Sequence, residues 1–271
     1  MSIRPAAVAG TFYPGDPALL SGAVERLLAD AAATAPAGAA VPKALIVPHA
    51  GYVYSGPIAA TAYARLAPAA GLIRRVVLLG PAHRVPVRGL ALPGTQHFAT
   101  PLGTVEVDED ATAVLRRLPQ VHDNPLAHAG EHSLEVQLPF LQRVLGKFTL
   151  VPLVVGDATG AMVAEVLDLV WGGAETLIVV SSDLSHYHPY REARRADRAT
   201  ADTILEGEPG LDHEQACGAT PVNGLLLAAR RHRLTPELLD LRNSGDTAGD
   251  RGRVVGYASF AFTEGLAHGA H

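Results

Sequence analysis

Four short aliphatic runs limit most strongly how this chain can fold: 43–49 (KALIVPH), 76–80 (VVLLG), 148–156 (FTLVPLVVG) and 176–183 (TLIVVSSD). They do not alternate with polar residues, so each reads as a strand covered on both faces, as in parallel sheets packed between helices. Helix-like stretches lie among them, over 57–67, 109–118, 133–145, 160–171 and 190–206. Pro57 and the Asp108-Glu109-Asp110 cluster suit helix N-termini. A first helix is expected at Asp16-Pro17, with Leu20, Val24, Leu27 and Leu28 on one stripe. Pro139 should kink or restart the 133–145 stretch, and another helix should begin at Pro221. Residues 31–42 (AAATAPAGAAVP) read as a loop into the first core strand. The final run, RVVGYASFAF, alternates like an antiparallel or edge strand. The pattern predicts an α/β sandwich with a mostly parallel central sheet, formed as a single domain over 1–271.

Aromatic residues make up only 5% of a chain that is 48% hydrophobic, so the core must be chiefly Leu, Val, Ile and Ala. The net charge of −5 gives no basic excess of the kind that marks nucleic-acid binders. Cys217 is the single cysteine, which rules out an internal disulfide and suits a reducing compartment. The N-terminus lacks the apolar core of a secretory signal, and no apolar stretch reaches the ~18 residues of a membrane span. The expected location is the cytoplasm.

The twelve histidines carry the chemical signal. His49 follows ALIVP, His83 follows VVLLGPA and His186 follows TLIVVSSDLS. Ligands of open α/β sheets bind beyond the carboxyl ends of the strands, so histidines distant in sequence can converge there. Gly51 and Gly56 suggest a turn beside His49, with the Tyr52 and Tyr54 hydroxyls near it. Neutral imidazole is the commonest protein metal ligand, which makes His49 and His83 a candidate pair. His132, in EHSLEVQLPF, is read either as a helix-capping residue or as a neutral pocket imidazole able to accept a proton. Ser182, Asp183 and His186 follow one strand, and Asp183 is placed to orient a histidine. Cys217, before the helix expected at Pro221, reads as ligand, nucleophile or small core residue; a helix N-terminus would favour its thiolate. Residues 243–252 (NSGDTAGDRG) read as an ordered surface loop because the glutamate of a calcium loop is missing. His97, His122, His128, His213, His232, His268 and His271 have no comparable context. The chain contains no phosphate-binding glycine motif and no H-E-x-x-H.

Six ordered blocks, PHAGYVYSG, LLGPAH, ATPLG, EHSLEVQLPF, VSSDLSH and ACGATPV, resemble the Memo-like family (AmmeMemoRadiSam system protein B) from about Ala9 to Phe262. That family is similar in fold to the class III extradiol dioxygenases, which implies a three-layer sandwich. The resemblance implies metal ligation by His49, His83 and Cys217, with iron or copper as the metal and zinc as a further candidate. Cys217 stands where the dioxygenases supply a glutamate, so ring cleavage itself is not implied. His132 resembles the histidine of their DHG-type motif, His186 their acid–base histidine, and Asp183 would stand behind them. Tyr54 and Ser182 would line the substrate pocket. The expected function is redox or oxygenase-like chemistry on an unknown substrate. The alternatives are a non-catalytic module that binds a small molecule or peptide, and a zinc-dependent hydrolase. The resemblance also implies radical-SAM and AMMECR-type protein partners.

Overall fold

The computed structural model describes residues 2–36 and 38–265; His268 and His271 lie outside them. In chain order the first elements are β1 (Ile3–Arg4), α1 (Pro17–Thr34), β2 (Ala44–Val47), α2 (Tyr52–Ala64) and β3 (Arg75–Pro81). Then come β4 (Leu90–Leu92), β5 (His97–Thr100), β6 (Gly103–Val107), α3 (Glu109–Leu115), β7 (Val121–Asp123) and α4 (Pro125–Ala129). A 3₁₀ turn (Glu135–Gln137) leads into α5 (Leu138–Leu145), β8 (Thr149–Val155), α6 (Gly160–Leu169), β9 (Thr176–Ser181) and β10 (His186–His188). The chain continues through α7 (Tyr190–Leu205), α8 (Ala219–Arg231), β11 (Leu234–Asn243), α9 (Ser244–Thr247) and β12 (Val254–Glu264).

The four aliphatic runs form the parallel centre of the sheet, in the order β8-β3-β9-β2. Their side chains alternate between two cores. Leu45, Val47, Val76 and Leu78 meet α1, α2 and α5 on one face. Ala44, Ile46, Val77 and Leu79 meet α6, α7 and α8 on the other. This is an α/β three-layer arrangement, with antiparallel pairs added on both flanks of the parallel strands. Among the described residues no helix is long and apolar enough to cross a membrane.

Several elements differ from expectation for local reasons. Helix α2 starts at Tyr52 and carries Pro57 inside it. The carbonyl that Pro57 cannot serve belongs to Val53, which is 64% exposed, so water can reach it. Helix α1 runs on to Thr34 before the loop. Pro139 does restart the 133–145 stretch, ending the 3₁₀ turn and opening α5. The last strand, β12, is antiparallel but interior, between β2 and β11. The outer position goes to β11, whose Pro236, Glu237 and Asp240 hid it as a strand in the sequence. Residues 243–252 contain a one-turn helix closed by an Asn243/Asp246 capping box.

Asp108 shows how one residue ties a helix to the sheet. Its carboxylate accepts from Ala111 N at 2.9 Å, from Arg75 Nε at 2.7 Å and from Thr149 Oγ1 at 3.0 Å. Burial alone would raise its pKa, but the Ala111 N–H, Arg75 and Thr149 outweigh burial and hold it below its ordinary value. A depressed carboxyl stabilises the fold above the unfolded-state pKa of about 3.9, and that stability is lost as pH falls through the folded value. Asp108→Ala is therefore expected to cost about 0.5–2 kcal/mol at pH 7. In urea unfolding series, the gap between wild type and variant should close progressively below about pH 4.

Candidate functional site

Strands β3, β9 and β2 lie side by side in parallel, so their carboxyl ends open on one edge. His49 lies two residues beyond β2, His83 two beyond β3, and Ser181 closes β9. His132 comes from the turn before the 3₁₀ segment. Two glycines allow the close approach of these pieces. A Cβ on Gly80 would stand 2.7 Å from Ser133 Oγ, and one on Gly218 would stand 2.8 Å from the Ser181 carbonyl oxygen. Neither turn could pack against the strand tips with a larger residue there.

His49, His83 and His132 each offer one ligand nitrogen, all within 4.8 Å of one another. The rings of His49 and His83 are 5.1 Å apart, those of His49 and His132 5.4 Å, and those of His83 and His132 4.7 Å. Such a cluster could hold a metal ion. His49 is buried, His132 is half-buried, and His83 is more open.

The hydrogen-bond network fixes which nitrogens are available. Ser181 Oγ donates to Ser133 O at 2.6 Å and accepts from Gln137 Nε2 at 2.8 Å. Its one proton is committed, so His49 Nδ1, 2.9 Å away, must be the donor in their contact. That tautomer leaves the Nε2 lone pair of His49 free. Glu131 is an ionised acceptor. Burial would raise its pKa, but the His83 ring and the N–H groups of Ser133 and His83 overcome this and bring it to about 2. His83 Nδ1 donates to Glu131 Oε1 at 2.9 Å, which leaves Nε2 as the His83 nitrogen that a cation could meet. An oriented imidazole that donates from one nitrogen and presents the other is the usual state of a metal-ligating histidine. His132 Nδ1 sits 3.3 Å from the same carboxylate oxygen, but the alignment makes no hydrogen bond, and this buried nitrogen has no partner.

Electrostatics keep His49 and His132 uncharged. Burial, then the neighbouring His83 and His132, push the His49 pKa well below its ordinary value. Burial, opposed by Glu131 and reinforced by His83 and Arg84, lowers His132 to about 4. Neutral imidazoles with free lone pairs are the form that binds cations.

The other sequence candidates surround this group. Cys217 Sγ lies 3.3 Å from His49 Nε2 but, among the described residues, does not join the three imidazoles in lying within 4.8 Å of one another. Its thiol does not have the lowered pKa expected from a helix N-terminus. Burial, then the charge of Asp183, push it up to about 12, outweighing the Asp183 N–H, the Ser182 hydroxyl and the Gly218 N–H, which pull it down. Asp183 accepts the backbone N–H of His49 at 2.7 Å, so it holds the main chain while Ser181 orients the ring. Burial raises Asp183 to about 7. Ser182 stands beside Cys217, with 3.9 Å between their Oγ and Sγ. His186 opens β10, and burial, opposed by a hydrogen bond to the Leu184 backbone and reinforced by His83, lowers its pKa. Tyr54 lies on the first turn of α2, partly exposed. Ser181 and Gln137 were not recognised in the sequence as orienting residues, and neither was Glu131. It is a cap, through the N–H groups of His132 and Ser133 at 2.9 Å each, and the His83 partner as well. A carboxylate directly beside a candidate histidine was the available signal.

The model of the Memo-like protein family matches residues 4–261 of the chain. A MEMO1 family protein of Methanopyrus kandleri is 36% identical, covering 97% of this chain and 99% of its own. One from Aquifex aeolicus is also 36% identical, covering 97% of this chain and 100% of its own. A solved structure, an uncharacterized protein from Escherichia coli K12, overlays with a TM-score of 0.48 at 15% identity, covering 80% of this chain and 98% of that one.

Proposed function

Because the chain belongs to the Memo-like family, we propose that it is a metal-dependent redox protein whose iron or copper is held by His49, His83 and Cys217. The observation that carries this reading is the convergence of two imidazoles, each held through Nδ1 with Nε2 left to face a cation, at the tips of β2 and β3 on either side of β9. Cys217 Sγ, 3.3 Å from one of those atoms, supports the thiol as the third donor. Two nitrogens and a sulfur suit iron, copper or zinc. A bound redox metal would supply electron transfer and Lewis acidity. The chain's own residues orient the ligands through Glu131 and Ser181 and keep His49 and His132 neutral. They also offer His186 as a proton carrier on the open side, with Asp183 fixing the His49 backbone. His132 would hold a proton or a substrate oxygen next to His83. Tyr54 and Ser182 would border the substrate. A cytoplasmic location fits a site that depends on a reduced thiol.

A second reading, with His132 as the third ligand, is favoured by the mutual reach of the three imidazoles. Elemental analysis after anaerobic purification tests both. The expected result is about one iron or copper per chain, retained in His132→Ala and lost in Cys217→Ala. The reverse pattern assigns an all-imidazole site. Zinc in place of iron or copper turns the proposal toward metal-assisted hydrolysis. No metal, even after reconstitution, leaves a non-catalytic binding pocket.

A further inference from the structure

Four arginines on α7, Arg191, Arg194, Arg195 and Arg198, follow the i, i+3, i+4, i+7 spacing that puts them on one helix face. All four are exposed. A cleft of about 690 Å³ separates them from β11 and touches every residue from 238 to 243. Successive strand residues point to opposite faces, so a cleft that meets six in a row runs along the strand's rim. The packing agrees, with a β-bulge between Leu238 and Asp240 that shifts the alternation by one residue: Leu239 joins the core on the α1 and α2 side, and Leu238 and Leu241 join the opposite one. Among the described residues β11 pairs only with β12, which leaves the N–H and C=O groups of its outer edge without a strand.

The charge of this cleft is uncompensated. Among the described residues Arg191, Arg194 and Arg195 form no ion pair, and Arg198 has only a 4.0 Å approach to Asp202. The carboxylates at the cleft are engaged elsewhere. Asp197 is buried and accepts from Ser185 N at 3.0 Å. Asp240 is paired with Arg242, and Asp246 accepts from the Tyr190 hydroxyl and from Asn243 N at 3.1 Å. This positive wall persists on a chain of net charge −5.

An open strand edge beside a row of guanidinium groups fits an extended chain carrying carboxylates on alternate residues. Same-face residues of a strand recur every ~6.8 Å, and one helical turn separates the arginines by ~5.4 Å, a difference that long side chains can absorb. We propose that β11 accepts an extended acidic segment of a partner protein as an added strand, its carboxylates paired with the arginines of α7.

The test uses the full chain and a fluorescein-labelled ten-residue peptide of alternating Glu and Val, followed by anisotropy. Saturable binding is expected, with a Lys/Val peptide at least roughly tenfold weaker and the Arg194→Glu/Arg195→Glu variant weakened by about tenfold. Two further peptides carry N-methyl groups on one or the other alternate set of residues, and one of them should lose binding. This comparison uses unaltered protein and so survives a variant that does not fold. Equal binding of both N-methylated peptides overturns the strand pairing. Preference for inorganic polyphosphate or single-stranded RNA over the peptide overturns the ligand class. A dimer in sedimentation that the double variant dissociates overturns it in favour of a second copy at this edge.

Discussion

Glu135→Ala is expected to lower the unfolding free energy by about 3–5 kcal/mol, the largest stability effect of any single change considered for this chain. Glu135 is fully buried and gathers four groups. Its carboxylate pairs with Arg4, accepts from Ala7 N at 2.8 Å and Val8 N at 3.0 Å, and takes the Tyr13 hydroxyl at 2.5 Å. Removing it strands a guanidinium that is itself buried, together with two main-chain N–H groups and a phenol. The remaining Arg4 bonds, to His128 O at 2.9 Å and Glu131 O at 2.7 Å, cannot neutralise its charge. Against a typical total of about 5–15 kcal/mol the loss is a large fraction. Calorimetry should record a fall in Tm on the order of 10 °C. A fall under about 2 °C would mean that water enters and replaces the carboxylate.

His49→Ala should abolish metal binding. Losing a partner that merely orients a ligand typically costs ~10–100-fold in metal affinity. His49 is at the centre of the cluster, touching Cys217 and stacked edge-on against both other imidazoles. Its removal should exceed that range, and Glu131→Gln, which removes no ligand but loosens His83 together with the His132 turn, should fall within it. Competition with a chromogenic chelator at pH 7 gives both numbers. Equal affinities for wild type and His49→Ala would remove the metal from this pocket altogether.

The sequence made the sheet centre legible because buried parallel strands have no polar face to obscure them: β2, β3, β8 and β9 are the four aliphatic runs. The meeting of His49 and His83 was legible too, since both follow such runs directly. Strand β11 was not, because an outer strand tolerates Pro236 and charged residues that an interior one would exclude. The state of the Cys217 thiol stayed open in the sequence for a different reason. Its place before α8 was visible in the sequence, but its burial against Asp183 depends on a contact across 34 residues. Ser181 likewise looked like the polar end of a strand until the Ser133 carbonyl and Gln137 showed where its proton goes.

Glu131 serves the turn and the site with the same two oxygens, collecting three main-chain N–H groups and the His83 ring. Ligand placement is thus inherited from backbone geometry and not set one side chain at a time. Shortening that arm by a single methylene would displace His83 and the His132 turn together. Substitution at this position therefore cannot tune one histidine while sparing the other, and variation in the pocket has to come from the Cys217 and His186 side.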